Sequence, residues 1–423
     1  MKKSLSLLLM LALVVSFALL PVRSNAEEEV VWDGTEAEFH IGVVTGTVSQ
    51  SEDDLRGAEE LIKRYGDSNE GGMITHITYP DSFMAEQETT ISQIVGLADD
   101  PMMKAILVNQ SVPGTAAAFA EVREFRDDIL LLAGEPHDDP NVIDPVADFV
   151  VGADNINRGY LIPLAAQKLG ATKFVHVSFP RHMSYQMLSL RRSIMKVACD
   201  DLGIEFYSET APDPTSDIGT PGAQQFILEQ MPAWVEKYGV DTCFFATNDA
   251  QTEPMLKRIA ELGAIFVEAD LPSPLMGYPG AFGVELKDVA GDWPAILARV
   301  EEAVVEAGGS GRMGTWAYSY GFSLTAALGE FAKGVIEGDI VRDEDGNFDP
   351  ADMFACFEVY TPGAEWKGAL LVDMTQDEPT EVTNHLLVYQ DDYIFGLGYL
   401  KMTEEEVPEK YRYITGDEVV IED

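Results

Sequence analysis

Cysteine is scarce, with three in 423 residues: Cys199, Cys243 and Cys356. Any disulfide pairing leaves one over, and the spacing matches no metal or redox motif. Each sits in an apolar context, which predicts a role as a small buried hydrophobe. Positive charge is also scarce. Lys and Arg number 28 against 72 Asp and Glu, a net charge of −44. Such a chain is a poor partner for nucleic acid or an anionic membrane surface. The acid is spread along the chain, so it reads as a solvated surface of the kind a high-salt habitat favours. Catalytic signatures are missing too. There is no P-loop, no His-Glu-x-x-His and no Gly-x-Ser-x-Gly. Gly309 to Gly314 spells the dinucleotide fingerprint, yet it falls between two helical patterns rather than after a strand, and reads as a turn. Carboxylates are so common that a catalytic pair can be drawn almost anywhere, which makes such a pair uninformative. The expectation is a protein that is not an enzyme and needs no cofactor.

Long apolar runs are confined to the N-terminus. Lys2 and Lys3 precede Leu5 to Leu20, Pro21 ends the run, and Ser24-Asn25-Ala26 supplies small residues for cleavage. This predicts a secretory signal peptide over 1–26. The run is shorter than the ~20 residues of a spanning helix, so no stable membrane insertion is expected after cleavage. With no lipid-anchor Cys after the run, the expected location is the periplasm or the exterior. Residues 27–38 look like an acidic linker. The remaining length suits two domains.

From His40 onward apolar runs alternate with amphipathic stretches. Strands are expected at His40 to Val44, Met73 to Tyr79, Ala105 to Val108 and Ile129 to Ala133. Helices are expected at Ser51 to Tyr65, Ser82 to Leu97 and Ala116 to Arg126. A second set follows, with strands at Phe149, Phe174, Ile204, Thr242 and Ile265 and helices between them. Alternation at this spacing predicts right-handed βαβ units and parallel sheets. The fold class is therefore α/β, with two doubly wound parallel-sheet lobes joined by a multi-segment hinge. The expected division is 39–148 with about 284–380 in the first lobe, and 149–283 with part of 381–423 in the second. Crossings are expected near 149–154 and 277–283. Beyond Gly283, helices are expected over Trp293 to Ala307 and Trp316 to Ile336, loop over Gly338 to Pro362, strands at Leu370 to Met374 and His385 to Tyr389, and a loosely packed acidic tail from Met402.

Val151-Gly152-Ala153-Asp154-Asn155, then Arg158-Gly159-Tyr160, then Phe174-Val175-His176-Val177-Ser178 resemble the opening of the second lobe in type I periplasmic binding proteins. Cys243-Phe244-Phe245-Ala246-Thr247-Asn248-Asp249 resembles that family's apolar strand ending in Asn-Asp. The similarity runs over about residues 38 to 285. It takes in ribose-binding-like and basic-membrane-protein-like solute binders. The loops Gly134 to Pro140 and Phe179 to Tyr185 look like a less characterised branch known as a domain of unknown function. The long loop after Phe179 and the extended C-terminal third depart from the sugar binders, so the ligand does not carry over.

In open parallel sheets ligands bind beyond the carboxyl ends of the strands. That rule selects Thr45, Thr47, Ser49 and Gln50 after the first strand, either as ligand contacts or as a helix-capping loop. Asn109, Gln110 and Ser111 follow the third strand, where a buried amide needs a partner. Glu135 and His137 follow the fourth. With Asp138 and Asp139 they resemble a metal set, but all four lie within five residues of one loop that carries Pro136 and Pro140, and a polar ligand contact is the better reading. From the second lobe come Arg181, His182, Ser184 and Tyr185. The resemblance implies an Arg in this loop against ligand oxygens, and a guanidinium fork suits that task. It also implies ligand hydrogen bonds from Asn248 and Asp249. Tyr278 falls near the expected return crossing. Phe179, Tyr185, Tyr79 and Tyr278 are candidate aromatic walls, and Arg191 and Arg192 are expected on a helix surface.

The resemblance implies an exported solute-binding protein that captures a small polar ligand between its lobes for an ABC-type permease. A ligand-sensing module for a receptor is the alternative within the fold, and a secreted metal-dependent enzyme the alternative outside it.

Overall fold

The computed structural model describes residues 30–374, 379–416 and 419–421, so the expected signal peptide lies outside the described residues. Five strands open the fold: β1 (His40–Thr45), β2 (Ile74–Thr78), β3 (Met103–Asn109), β4 (Leu130–Gly134) and β5 (Phe149–Ala153). β6 (Lys173–Ser178), β7 (Glu205–Thr210) and β8 (Thr242–Ala246) follow, then β9 (Gly314–Trp316), β10 (Trp366–Asp373), β11 (Thr380–Gln390), β12 (Asp392–Ile394) and β13 (Gly398–Leu400). A seven-stranded sheet has the order β10-β11-β5-β4-β3-β1-β2, parallel except for the β10–β11 pair. Its central strands are buried on both faces, so they read as continuous apolar runs such as Ala105-Ile106-Leu107-Val108.

The second lobe carries the parallel order β7-β6-β8. Ile265 bridges β8 and Phe266 bridges Met313, which joins these strands to a small antiparallel sheet, β13-β12-β9. The run Ile265-Phe266-Val267 thus pairs only through bridges. Two doubly wound lobes with parallel sheets are the fold class that the alternation predicts.

The division between lobes differs from the expectation at 149–153 and over 284–316. β5 closes against β4 in the first sheet, because Phe149, Val150 and Val151 are wholly buried there. β11 also belongs to the first sheet, pairing with β5 over His385–Val388. The stretch from 284 to β9 stays with the second lobe: the Gly314 amide donates to the Phe266 carbonyl at 2.9 Å, and the Tyr278 hydroxyl donates to the Gly314 carbonyl at 2.5 Å. The chain therefore passes between lobes at Asp154, at Ala317–Ser319 and at Asp391, not at 277–283. At Gly277 (φ 75°) a side chain would strike the Glu253 backbone at 2.7 Å, so that turn is packed against the helix Thr252–Leu262 inside one lobe.

Helices lie between the strands. Val48–Tyr65 starts at a Thr47 cap and is interrupted at Ser51, where a second piece begins. It packs on Tyr320–Glu337, the returning helix of the first lobe. A Cβ at Gly57 would stand 2.7 Å from the Phe322 carbonyl oxygen, so the two backbones meet where glycine permits. Leu61, wholly buried at this seam, contributes about 1.5–3 kcal/mol by transfer from water. The stretch expected to be loop holds a helix, Pro350–Tyr360, capped by Asp349. The tail is not loose over its described residues: Met402 and Tyr411 are buried, and Tyr411 stacks with Tyr160 at 4.7 Å. All three cysteines are buried and free.

Candidate ligand cleft

The carboxyl ends of β1 to β4 face those of β6 and β8 across a cleft of about 740 Å³. Ten of the sixteen sequence-predicted residues line it: Ser49, Gln50, Gln110, Glu135, His137, Arg181, His182, Tyr185, Asn248 and Asp249.

On the first lobe, Ser49 donates to Asp81 Oδ2 at 2.9 Å and Gln50 Nε2 to the Asp81 carbonyl at 2.8 Å. Thr47 also donates to Asp81, so it caps the helix and braces the wall from behind. Gln110 Oε1 meets His137 Nε2 at 3.0 Å. Glu135 sits at the end of β4 with φ 38°, a left-handed conformation that costs a non-glycine residue about 1–2 kcal/mol. Two hydrogen bonds to Oε2 hold it there, from the Ala153 amide at 2.7 Å and the Tyr320 hydroxyl at 2.6 Å. Burial raises its carboxyl pKa, and those donors oppose the shift.

On the second lobe Arg181 is engaged within its own wall. Nε and Nη2 donate to the Asp213 carboxylate at 2.7 and 2.9 Å, Nη1 to the Tyr185 hydroxyl at 3.0 Å, and the guanidinium lies over the Phe179 ring. Burial works to raise Asp213, yet the Arg181 fork and Thr215 hold it down at about 2. The free fork expected against ligand oxygens is therefore occupied. Asn248 accepts the Ala250 amide at 3.1 Å. His182 meets the Thr247 hydroxyl at 3.2 Å. Burial lowers His182 to about 4 and His137 to about 3, where the positive charge of Arg181 adds to the effect. The lobes touch at one side: the His137 and Tyr185 rings are 5.7 Å apart and the Gln186 amide donates to Asp139 Oδ1 at 3.1 Å.

Six predicted residues point elsewhere. Thr45 is wholly buried against His76. Asn109 turns into the helix seam, donating to Thr325 at 2.9 Å and to Asp54 at 3.3 Å. Ser111 donates to the Val108 carbonyl, Ser184 to the Arg181 carbonyl, and Tyr278 is buried against Gly314. Thr47 is the sixth. Among the described residues no three His, Cys, Asp or Glu side chains gather as metal ligands, the Glu135–Asp139 loop included.

Sequence reasoning missed Asp53, Asp81 and Asp270, which also line the cleft. Asp81 and Asp270 follow strand-like runs, so the rule about strand ends reaches them. Asp53 looks like an ordinary acid in a helix's first turn. Arg191 is not at the surface: it is buried, pairing with Asp270 and donating to Asn155 Oδ1 at 2.7 Å. Arg158 is buried beside it, donating to Glu268 at 2.8 Å and to the Ala269 and Asp270 carbonyls. These two guanidiniums pin the segment that carries Asp270 into the wall.

Among solved structures, a candidate transcriptional regulator from Clostridium difficile 630 superposes with a TM-score of 0.69 at 24% identity, covering 85% of this chain and 100% of that one. A solute-binding protein of an ABC transporter from Actinobacillus succinogenes 130z, with D-allose bound, overlays at a TM-score of 0.48 and 14% identity over 71% of this chain and 92% of its own. Two uncharacterised proteins of Treponema pallidum (strain Nichols) are similar in sequence. One is 48% identical over 43% of this chain and 84% of its own length, the other 39% over 50% and 96%. A second family model matches 325–414. The model of the family described as "Protein of unknown function (DUF3798)" matches residues 39–314, and the chain belongs to that family.

Proposed function

We propose that the chain is an exported solute-binding protein that captures a small polar molecule in the interlobe cleft, without altering it, for an ABC-type permease. The observation that carries this reading is the facing of two sets of strand ends around one cleft of about 740 Å³, a volume in the range of small-molecule sites. Groups from both lobes reach it, so a guest that contacts both stabilises the closed arrangement over the open one. The three passages between lobes at Asp154, 317–319 and Asp391 would form the hinge. Export rests on the expected signal peptide alone. Among the described residues no helix is long and apolar enough to cross a membrane.

The test is mass spectrometry of small molecules released from the purified protein, with Asn248→Ala as control. Asn248 spends its oxygen on the Ala250 amide, which leaves its amide nitrogen for a ligand. Its loss should weaken binding by about 1–3 kcal/mol. A protein that retains no molecule, or whose affinity ignores both lobes' residues, contradicts the reading. The similarity to a candidate regulator supports a second one, in which the same closure reports a ligand to a receptor. A kinase gene beside this one, in place of permease and ATPase genes, would favour it.

A further inference from the structure

The charge in the cleft is more one-sided than the chain as a whole. Eight carboxylates line it against one guanidinium, while the whole chain has 72 acids to 28 bases. That one guanidinium, Arg181, is closed into its pair with Asp213. The two lining histidines are held neutral by burial. Part of the excess is not solubilising surface: Asp53 is 6% exposed and Asp270 8%.

Their hydrogen bonding leaves acceptors open. Asp270 lines the cleft; its Oδ1 takes Arg191, while Oδ2 accepts no hydrogen bond among the described residues. Asp249 has a single long contact, from the Leu271 amide at 3.4 Å. Asp53, from the opposite lobe, takes only neutral hydroxyls, Ser319 at 2.5 Å and Ser273. Asp249 lies close enough to Asp270, and then to Asp53, for burial and their charges to push its carboxyl pKa up. Like charges brought together out of water are costly unless a positive group joins them. Around them stand Tyr79, Phe83, Tyr185, Leu271 and Met276, an apolar lining that suits a carbon skeleton better than a bare ion.

We propose that the cleft takes an organic cation, an amine or guanidine with an apolar body, and seats its positive group between Asp249 and Asp270 on one lobe and Asp53 on the other. This rests on the solute-capture reading and names the class of solute. The ligand's charge would then drive closure: without it the acids of the two lobes repel, and with it both are drawn to one centre.

The test is equilibrium dialysis of the full protein against a small-molecule extract of a bacterial culture, with the retained compounds sorted by their charge at neutral pH. Cationic compounds should be enriched, and the enrichment should fall with added salt. Asp249→Asn should cut it by at least about tenfold, the effect of losing one charge-assisted hydrogen bond. The same variant should melt at an equal or higher temperature when empty, since it removes a buried repulsion. That pairing separates a binding role from a structural one. Enrichment of neutral sugars, of anions or of a metal ion overturns the proposal while solute capture stands. Cation retention that ignores Asp249→Asn overturns the seat. A protein that retains nothing overturns both.

Discussion

Asp54 and its neighbours decide how this molecule responds to pH. Asp54 is 1% exposed, its Oδ2 has no partner, and burial lifts its carboxyl to about 7, with the charges of Asp53 and Glu135 adding to the shift. A folded-state pKa above the unfolded value means the folded form holds the proton more tightly. That contribution is complete below the ordinary carboxylate range and is lost as pH rises through about 7. Between pH 5 and 8 Asp54 therefore contributes a fall in stability as pH rises, and Asp54→Asn should shift the slope over that interval in the upward direction. Urea titrations across that interval check it, and an equal slope in both proteins would refute it. The histidines act on the acid side. His137 and His182 are depressed to about 3 and 4, so stability drops as pH falls below the ordinary histidine range, where the unfolded chain takes up protons first. Site residues were legible in place but not in direction. The rule about strand ends finds Asn109 and Gln110 together, yet neighbouring strand residues face opposite ways, and only Gln110 reaches the cleft. Burial of Arg191 was hidden for a similar reason, since its partner Asp270 is 79 residues away in sequence.

Among elements, the seam between the helices Val48–Tyr65 and Tyr320–Glu337 holds the first lobe's outer layer to its sheet. Gly57→Ala should cost about 1–3 kcal/mol, because its methyl group meets a backbone oxygen that cannot move aside. Gly329→Ala meets the ends of the Leu61 side chain instead and should cost clearly less, partly offset by the better helix propensity of alanine. Thermal melts of the two variants check the ranking, and an equal cost would show that the backbone contact gives way. Long periodic segments were plain in the sequence: the helix expected over Trp293 to Ala307 is Trp293–Glu306, and the strand expected at Thr242 is Thr242–Ala246. Short elements were not. β9, β12 and β13 have three residues each, too few for a period to show. Pro350–Tyr360 carries its signals, an Asp349 cap and a proline at the first turn, but follows a turn-rich stretch that masks them.

At the scale of the whole molecule, the connectivity matters more than any one contact. Two lobes were legible because strand and helix alternate twice. Their boundary was not, because it depends on pairings between distant segments. β5 finds β11 more than two hundred residues later, and nothing local in either strand announces that bond. This pairing has a temporal side. A ribosome delivers residue 149 long before residue 390, so β5 must wait with an unpaired edge while the second lobe is made. The first lobe, begun earliest, is completed almost last. A chain cut after residue 365 should accordingly stay open to protease and fail to melt cooperatively, and a sharp melt from that fragment would show the early strands sufficing. Export of the chain as a thread, which the proposed function entails, would gain from late completion: the unfinished chain remains threadable until β10 and β11 emerge.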